Sequence, residues 1–376
     1  MGTEPIQFNY TNLPLITMTK ILMLPQFMVN HLDLIDNVDS ALSLPIYRRQ
    51  ALIEQGVQPA FTVLRSQDIR LPVNAVLNYK SLLTDQYWPS DEEAHLSRKL
   101  QFTDSLLRRT IPVEDGNFVI TSHWNSYETY TGRSSAYNVA VQAMPRKLRA
   151  QMVPPNGFDL VKVDISSAEL RAAAYLTRDH ELLSMLSRGD DVHSAVAHGA
   201  GLVELFGAEL ARQAAKKFTF SLLYGASDYG LQSSLNEVST SISVDADAVA
   251  LVKHNFQVMF PTLIQHFVDS VRPDSIQGPW GRIPTFIDLR PSQRRAYPNQ
   301  MTIAFLSKLI MRLGNDLGGL PMFFLHDEVD FYVPVGATPQ FIDQLVKQVT
   351  QVVTELYPSF PLRNLLKITK QESVNS

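Results

Sequence analysis

The chain of 376 residues contains no cysteine. Disulfides and zinc–thiolate sites are thereby excluded, and any bound metal must be held by oxygen or nitrogen, which suits a hard ion such as magnesium. Long apolar runs are missing as well. No stretch approaches the roughly 18 apolar residues of a membrane span, and the most apolar early segment, Leu13 to Val29, is interrupted by Lys20 and Pro25. The start, Met1-Gly2-Thr3-Glu4, shows no basic region followed by an apolar core, so a soluble intracellular protein with no membrane partner is expected. A chain-wide basic surplus is absent too, the formal net charge being -4. Phosphate would therefore have to be met by local stripes. Three exist: Arg146-Lys147-Leu148-Arg149, Arg212 with Lys216 and Lys217, and Arg282 through Arg290, Arg294 and Arg295. Any one of them alone is no more than a solvated surface.

What is present is ordinary globular material, 45% hydrophobic and 19% charged, enough for one multi-lobed domain or two ordinary ones. Residues 1–30 read as a Pro-punctuated lead-in. Helical periodicity dominates from about Leu32 to Arg109, with breaks expected at Pro45, Pro59, Pro72 and Pro89, and Ser90 with Glu93 forms a capping-box pattern. Gly116 to Thr121 reads as a turn and strand, and Phe158 to Val163 as a second strand. From Ser167 to about Asn255 the pattern is helical, interrupted at Gly189, Gly199-Ala200-Gly201, Gly207 and Gly225. Met322 to Leu325 and Val329 to Val333 flank His326-Asp327-Glu328 as a strand pair. Thr338-Pro339 then opens a helix with a capping residue followed by proline, whose apolar stripe runs from Phe341 to Leu356. The expected class is α+β, a small antiparallel sheet with two helical lobes.

Two carboxylates stand out. Asp164 ends an apolar strand, and Asp327 occupies the turn of a strand pair. A carboxylate among apolar neighbours is unfavourable unless paired or bound to a cation. Two acids from distant segments at strand ends could converge on two divalent ions, about 3.5–4 Å apart in two-metal sites. Turn and capping roles explain either acid equally well on its own. A third segment adds weight. Arg212, Lys216, Phe220 and Tyr224 recur at intervals of four, which at ~100° per residue drifts by only about 40° per step. Two cations followed by two aromatics on one stripe suit a polyphosphate with a sugar and base beyond it. Gly225 ends the stripe and could permit a lid to swing.

In order and spacing, these three segments resemble motifs A, B and C of family A DNA polymerases, the group typified by the bacterial repair polymerase. The resemblance begins at Thr131-Gly132-Arg133-Ser134-Ser135, includes Asp191-Val192-His193, and extends through Phe256, Phe260-Pro261 and Gly281-Arg282 to the C-terminal strands. It implies a right-hand polymerase fold: a helical thumb over 31–115, palm over 116–180 and 306–376, and fingers over 181–305. It implies that Asp164 and Asp327, with the carbonyl of Ile165, bind two Mg2+ ions, Mn2+ being the alternative, and that Glu328 supports them. Arg212, Lys216 and His193 would hold the triphosphate, with Lys216 also acting in catalysis. Phe220 and Tyr224 would flank sugar and base, and Arg133, Gln142, His326 and Arg282 would touch primer or template. The implied partners are primer–template DNA, deoxynucleoside triphosphates and replication accessory proteins such as a helicase, primase or processivity factor.

Glu169 falls where DNA-making members place bulk against the sugar 2′ position, with Tyr224 as its partner. The same residue completes a Ser166-x-x-Glu169 capping box, and one carboxylate cannot point both ways. Phe220, lacking the hydroxyl of tyrosine, predicts poor use of dideoxynucleotides. Some positions depart from the family pattern. Thr302 or Asn299 occupies the neighbourhood of its glutamine before motif C, and Ala143 replaces the asparagine after Gln142. The final glycine and tryptophan are absent. No clustered acids in the N-terminal third suggest a proofreading nuclease. The alternatives are a catalytically silent DNA-binding relative and a single-subunit RNA polymerase.

Overall fold

A computed structural model describes residues 45–85, 93–113, 116–126, 129, 131–239, 241–269, 275–278, 281–284 and 289–372. The expected lead-in, Pro89 and the Ser90 end of the capping box lie outside these residues. The described elements begin with α1 (Pro45–Ser66), β1 (Ile69–Pro72), α2 (Val73–Asp85), α3 (Glu93–Arg109) and β2 (Ile111–Pro112). They continue through β3 (Asn117–Ile120), β4 (His123–Asn125), β5 (Ser135–Tyr137), the short α4 (Arg146–Arg149) and β6 (Phe158–Ile165). Then come α5 (Ala168–Thr177), α6 (His180–Arg188), α7 (Val192–Gly199), α8 (Leu202–Leu223), α9 (Asp228–Asn236), α10 (Ala246–Met259) and α11 (Pro261–Asp269). A hairpin, β7 (Ser275–Gly278) and β8 (Gly281–Pro284), precedes α12 (Pro291–Asp316), β9 (Leu320–Leu325), β10 (Glu328–Pro334), α13 (Thr338–Leu356) and β11 (Leu366–Gln371).

The central sheet is antiparallel throughout, in the order β11-β6-β10-β9. Its registry makes two faces. Lys367, Asp164 and Glu328 stand in one row across three strands, and Thr369, Lys162 and Asp330 in the next. Directly opposed residues share a face and alternate residues reverse it, so one face is polar. Val161, Val163, Val329 and Phe331 build the other, all buried. There α12 and α13 cover the sheet, with the Phe341 ring of α13 edge-on to Phe331 at 5.5 Å.

Two apolar cores result. The first joins this covered face to the N-terminal helices through residues such as Phe61, Leu64 and Leu106. The second lies among α5 to α11 around Phe218, Phe256 and Phe260. Helix α5 belongs to both, giving Ala168, Ala172 and Tyr175 to the first and Leu170, Ala173 and Ala174 to the second. Each fully buried large side chain contributes roughly 1.5–3 kcal/mol. The expected boundary after residue 305 falls inside α12, which runs across it without interruption.

Several local expectations are corrected. Pro59 does not end a helix but lies within α1. It is exposed, while Val57, Ala60, Phe61 and Leu64 bury the other stripe and hold the helix through the missing hydrogen bond. Pro72 closes a strand, β1, paired with β3, which helical periodicity did not announce. Thr338 is the first residue of α13 rather than its cap, which is Ala337. Its hydroxyl donates to buried Asp159 at 2.6 Å. The buried stripe of α13 is narrower than its apolar sequence, comprising Phe341, Leu345, Val349 and Val353 while Val346 and Leu356 are exposed.

Candidate active site

The pairing of β6 with β10 brings the two aspartates together. Asp164 stands opposite Glu328, and one residue on, the Ile165 N–H donates to the Asp327 carbonyl at 3.0 Å. His326, with φ of 54°, makes the turn between β9 and β10 that presents Asp327 at this edge. Neither aspartate has an ion-pair partner among the described residues. Burial, then the charge of Glu328, raises the Asp164 carboxyl to about 6. Burial, then Asp164 itself, raises Asp327 to about 7. Glu328 is different, because Arg149 Nη1 donates to it at 3.0 Å. The guanidinium of Arg149 also lies over the Phe323 ring, 5.8 Å from its centroid. No group of three or more metal-ligating side chains assembles among the described residues, so the cluster is one of two unpaired carboxylates with backbone beside them.

Helix α8 carries the stripe read from the sequence, and its C-terminal end meets α5 through Tyr224 and Glu169. Gly207 breaks its first turn away, its φ of 71° and ψ of 164° lying in a region that side-chain-bearing residues avoid. Beyond the kink, Arg212 Nε donates to Asp191 Oδ2 at 2.6 Å, and Asp191 also caps α7 by accepting from the His193 and Ser194 amides. His193 is buried, tilted against Phe220 at 5.7 Å between centroids, and its Nδ1 has no hydrogen-bond partner among the described residues. Burial, then the neighbouring Arg212 and Lys216, lowers its pKa to about 4. Lys216 Nζ sits 5.9 Å from the Phe220 ring centroid, whereas Lys217 points elsewhere, to Glu237. Tyr224 caps the C-terminal end and donates its hydroxyl to Glu169 Oε1 at 3.2 Å. Burial, then Glu169, pushes that hydroxyl up to about 12. Gly225 follows at φ 78°, where an added Cβ would come 2.7 Å from the Arg295 guanidinium.

Arg133 approaches both Tyr224 and His326. The protein packed around His326, with Arg133 and Arg149, lowers its pKa to about 4, although part of the residue still faces solvent. Gln142 is engaged inside the protein: its amide donates to the Phe324 carbonyl at 2.9 Å and accepts from the Ala136 N–H at 3.1 Å. It ties β5 to β9. Arg282 lies in β8 opposite Gln277, with its side chain outside the described residues. Thr302 and Asn299 are both buried in α12, the Thr302 hydroxyl turned back to the Pro298 carbonyl. The Ser166-x-x-Glu169 capping box does not form. Ser167 caps α5 without a side-chain bond, and Glu169 turns to Tyr224.

Three contributors carried no assigned role in the sequence. Arg149 holds Glu328, and Asp191 holds Arg212. Arg171 is buried in α5, where its guanidinium donates to the carbonyls of Ser166, Pro361, Arg363 and Asn364. The basic run 146–149 was visible, but its partner is 179 residues away.

An antiparallel sheet with two acids at one edge, set among helices one of which carries the cationic stripe, is an arrangement shared with a solved polymerase domain. The chain superposes on the solved POL domain of Pol1 from M. smegmatis in complex with DNA primer-template and dNTP. The TM-score is 0.72 at 20% identity, covering 92% of this chain and 74% of that one. At the sequence level, residues 93–275 match the model of DNA polymerase family A. The chain is 30% identical over 203 residues to DNA polymerase I of Pseudomonas aeruginosa, covering 50% of this chain and 20% of that protein. It is 29% identical over 262 residues to the thermostable DNA polymerase I of Thermus thermophilus, covering 62% and 30% respectively. The chain thus spans less than a third of the length of these relatives.

Proposed function

We propose that the chain is a template-directed DNA polymerase that extends a primer 3′ end with deoxynucleoside triphosphates. The observation that carries this is the meeting of Asp164 and Asp327 at one sheet edge with no ion-pair partner among the described residues. Two desolvated carboxylates, each raised by burial and then by a neighbouring acid, are a fit for divalent ions. Asp164, Asp327 and the Ile165 carbonyl would hold two Mg2+, which when bound supply charge neutralisation at the reacting phosphate and activation of the primer hydroxyl. Arg149 keeps Glu328 turned aside as their support. Arg212, Lys216 and His193 would seat the triphosphate, Lys216 being placed to offset charge on the leaving group. Phe220 and Tyr224 would bracket sugar and base, and Glu169 would fill the space beneath the sugar. Arg133 and His326 would meet the primer end. In this assignment the first core carries thumb and palm, and the second carries the fingers.

Primer extension with magnesium, for wild type and Asp164→Ala, tests the proposal. Wild type extends the primer without degrading it from the 3′ end. Asp164→Ala loses extension by about a thousandfold or more while still binding DNA. Wild-type binding with no extension would instead mark a silent DNA-binding relative.

A further inference from the structure

On the β11 side of Asp164 a pocket of about 310 Å3 opens over the polar sheet face. Four cations line it, Arg146 and Arg149 from α4, Lys162 from β6 and Lys367 from β11, together with Asp164, Glu328 and Thr369. No residue of α8 does. We propose that this pocket is a phosphate site, formed by Arg146 and Lys367, that seats the primer strand's backbone next to its 3′ end. The proposal rests on the polymerase assignment above and adds a subsite to it.

The argument proceeds charge by charge. Arg149 is neutralised by Glu328 at 3.0 Å. Lys162 donates to the Arg149 carbonyl at 3.2 Å and lies 3.9 Å from Asp330. Asp330 is fully buried, neither of its oxygens has a hydrogen-bond partner among the described residues, and burial raises its pKa towards the neutral form, Lys162 being the cation beside it. Lys162 and Arg149 are thus engaged at the floor of the pocket. Arg146 and Lys367 remain, both exposed and neither with an ion-pair or hydrogen-bond partner among the described residues. Lys367 stands opposite Asp164 in the β11–β6 register, and its charge acts on that carboxylate. Once Asp164 is engaged with divalent ions, Lys367 faces the pocket unopposed. Two unopposed cations over a polar floor match an anionic phosphate oxygen. Phosphate could arrive as a primer phosphodiester or as released pyrophosphate. The triphosphate cations Arg212 and Lys216 lie on α8, away from this wall, whereas the primer end must come to Asp164 and Asp327. The primer is therefore the source.

Lys367→Ala, Arg146→Ala and the charge-keeping Lys367→Arg test the site, with Lys347→Ala, exposed on α13 behind the sheet, as control. Each alanine variant should weaken primer–template binding about 3- to 10-fold and lower the salt slope of binding by about one. Lys367→Arg should restore affinity, and Lys347→Ala should leave it unaltered. The KM for nucleotide, and for pyrophosphate in the reverse reaction, should stay within about twofold of wild type. Unaltered DNA affinity, or an equal loss in Lys347→Ala, would overturn the site. A raised pyrophosphate KM with unaltered DNA affinity would assign the pocket to the leaving product and overturn the primer seat. Wild-type extension is measured first. Its absence sinks the polymerase assignment, whereas extension with indifferent variants sinks the pocket alone.

Discussion

The Tyr224 hydroxyl donates to the Glu169 carboxylate at 3.2 Å, joining the end of the cationic helix to the first turn of α5, directly after Asp164. The bond closes the space between the two elements where a nucleotide sugar would rest. A side chain held there would exclude a ribose 2′-hydroxyl by volume. Glu169→Ala should raise the ratio of ribo- to deoxynucleotide incorporation by about tenfold or more. An unchanged ratio in single-nucleotide kinetics refutes the steric role.

Phe220 packs against His193 and lies beneath Lys216, presenting a ring without a hydroxyl. Chain termination should accordingly be weak when dideoxy- and deoxynucleotides are supplied at equal concentration, and Phe220→Tyr should strengthen it. Efficient termination by the wild type contradicts this assignment.

The aspartate pair makes a prediction about pH. Asp164 is raised to about 6 and Asp327 to about 7, against roughly 3.9 for an unfolded aspartate. The metal-free folded protein therefore holds protons more tightly than the unfolded chain. The contribution of this pair to stability is greatest below the unfolded value and declines as pH rises from about 4 to about 7. Urea midpoints in EDTA should fall across that window, and magnesium should oppose the fall at its upper end. Midpoints that rise with pH in the metal-free protein, and equally so in Asp164→Asn/Asp327→Asn, would contradict the assigned shifts.

Arg171 fastens α5 to the loop before β11 through three carbonyls, those of Pro361, Arg363 and Asn364, and donates a further bond to Ser166. Arg171→Leu strands those acceptors and should destabilise the fold by roughly 3–5 kcal/mol. Arg171→Lys cannot span the same fork and should recover little of it. Chemical denaturation measures both. A loss below about 1 kcal/mol would show that water replaces the guanidinium.

The parts of the site legible in the sequence are those whose chemistry repeats locally. Arg212, Lys216, Phe220 and Tyr224 were readable because a helix converts a spacing of four into one stripe. The sheet acids were readable because alternation marks a strand and a lone carboxylate at its end is conspicuous. What stays open or is misread depends on partners far along the chain. Glu169 reads both as a cap for its own helix and as the partner of Tyr224, and the contact across 55 residues decides for Tyr224. Gln142 reads as an available amide until Phe324, 182 residues on, takes its N–H. Thr338 resembles a cap until Asp159 claims its hydroxyl.

The order of residues alone thus determined which chemistry was on hand: no thiol for metal, oxygen ligands at two strand ends, and cations and aromatics in helical phase. These follow from side-chain type and the short periods of helix and strand. Folding decided which charges remain unanswered. Arg149 is consumed by Glu328, and Lys162 lies beside Asp330, while Asp164 and Asp327 have no ion-pair partner among the described residues. Charge compensation inside a protein depends on distance through space, and only the antiparallel pairing of β6 with β10 and β11 sets those distances.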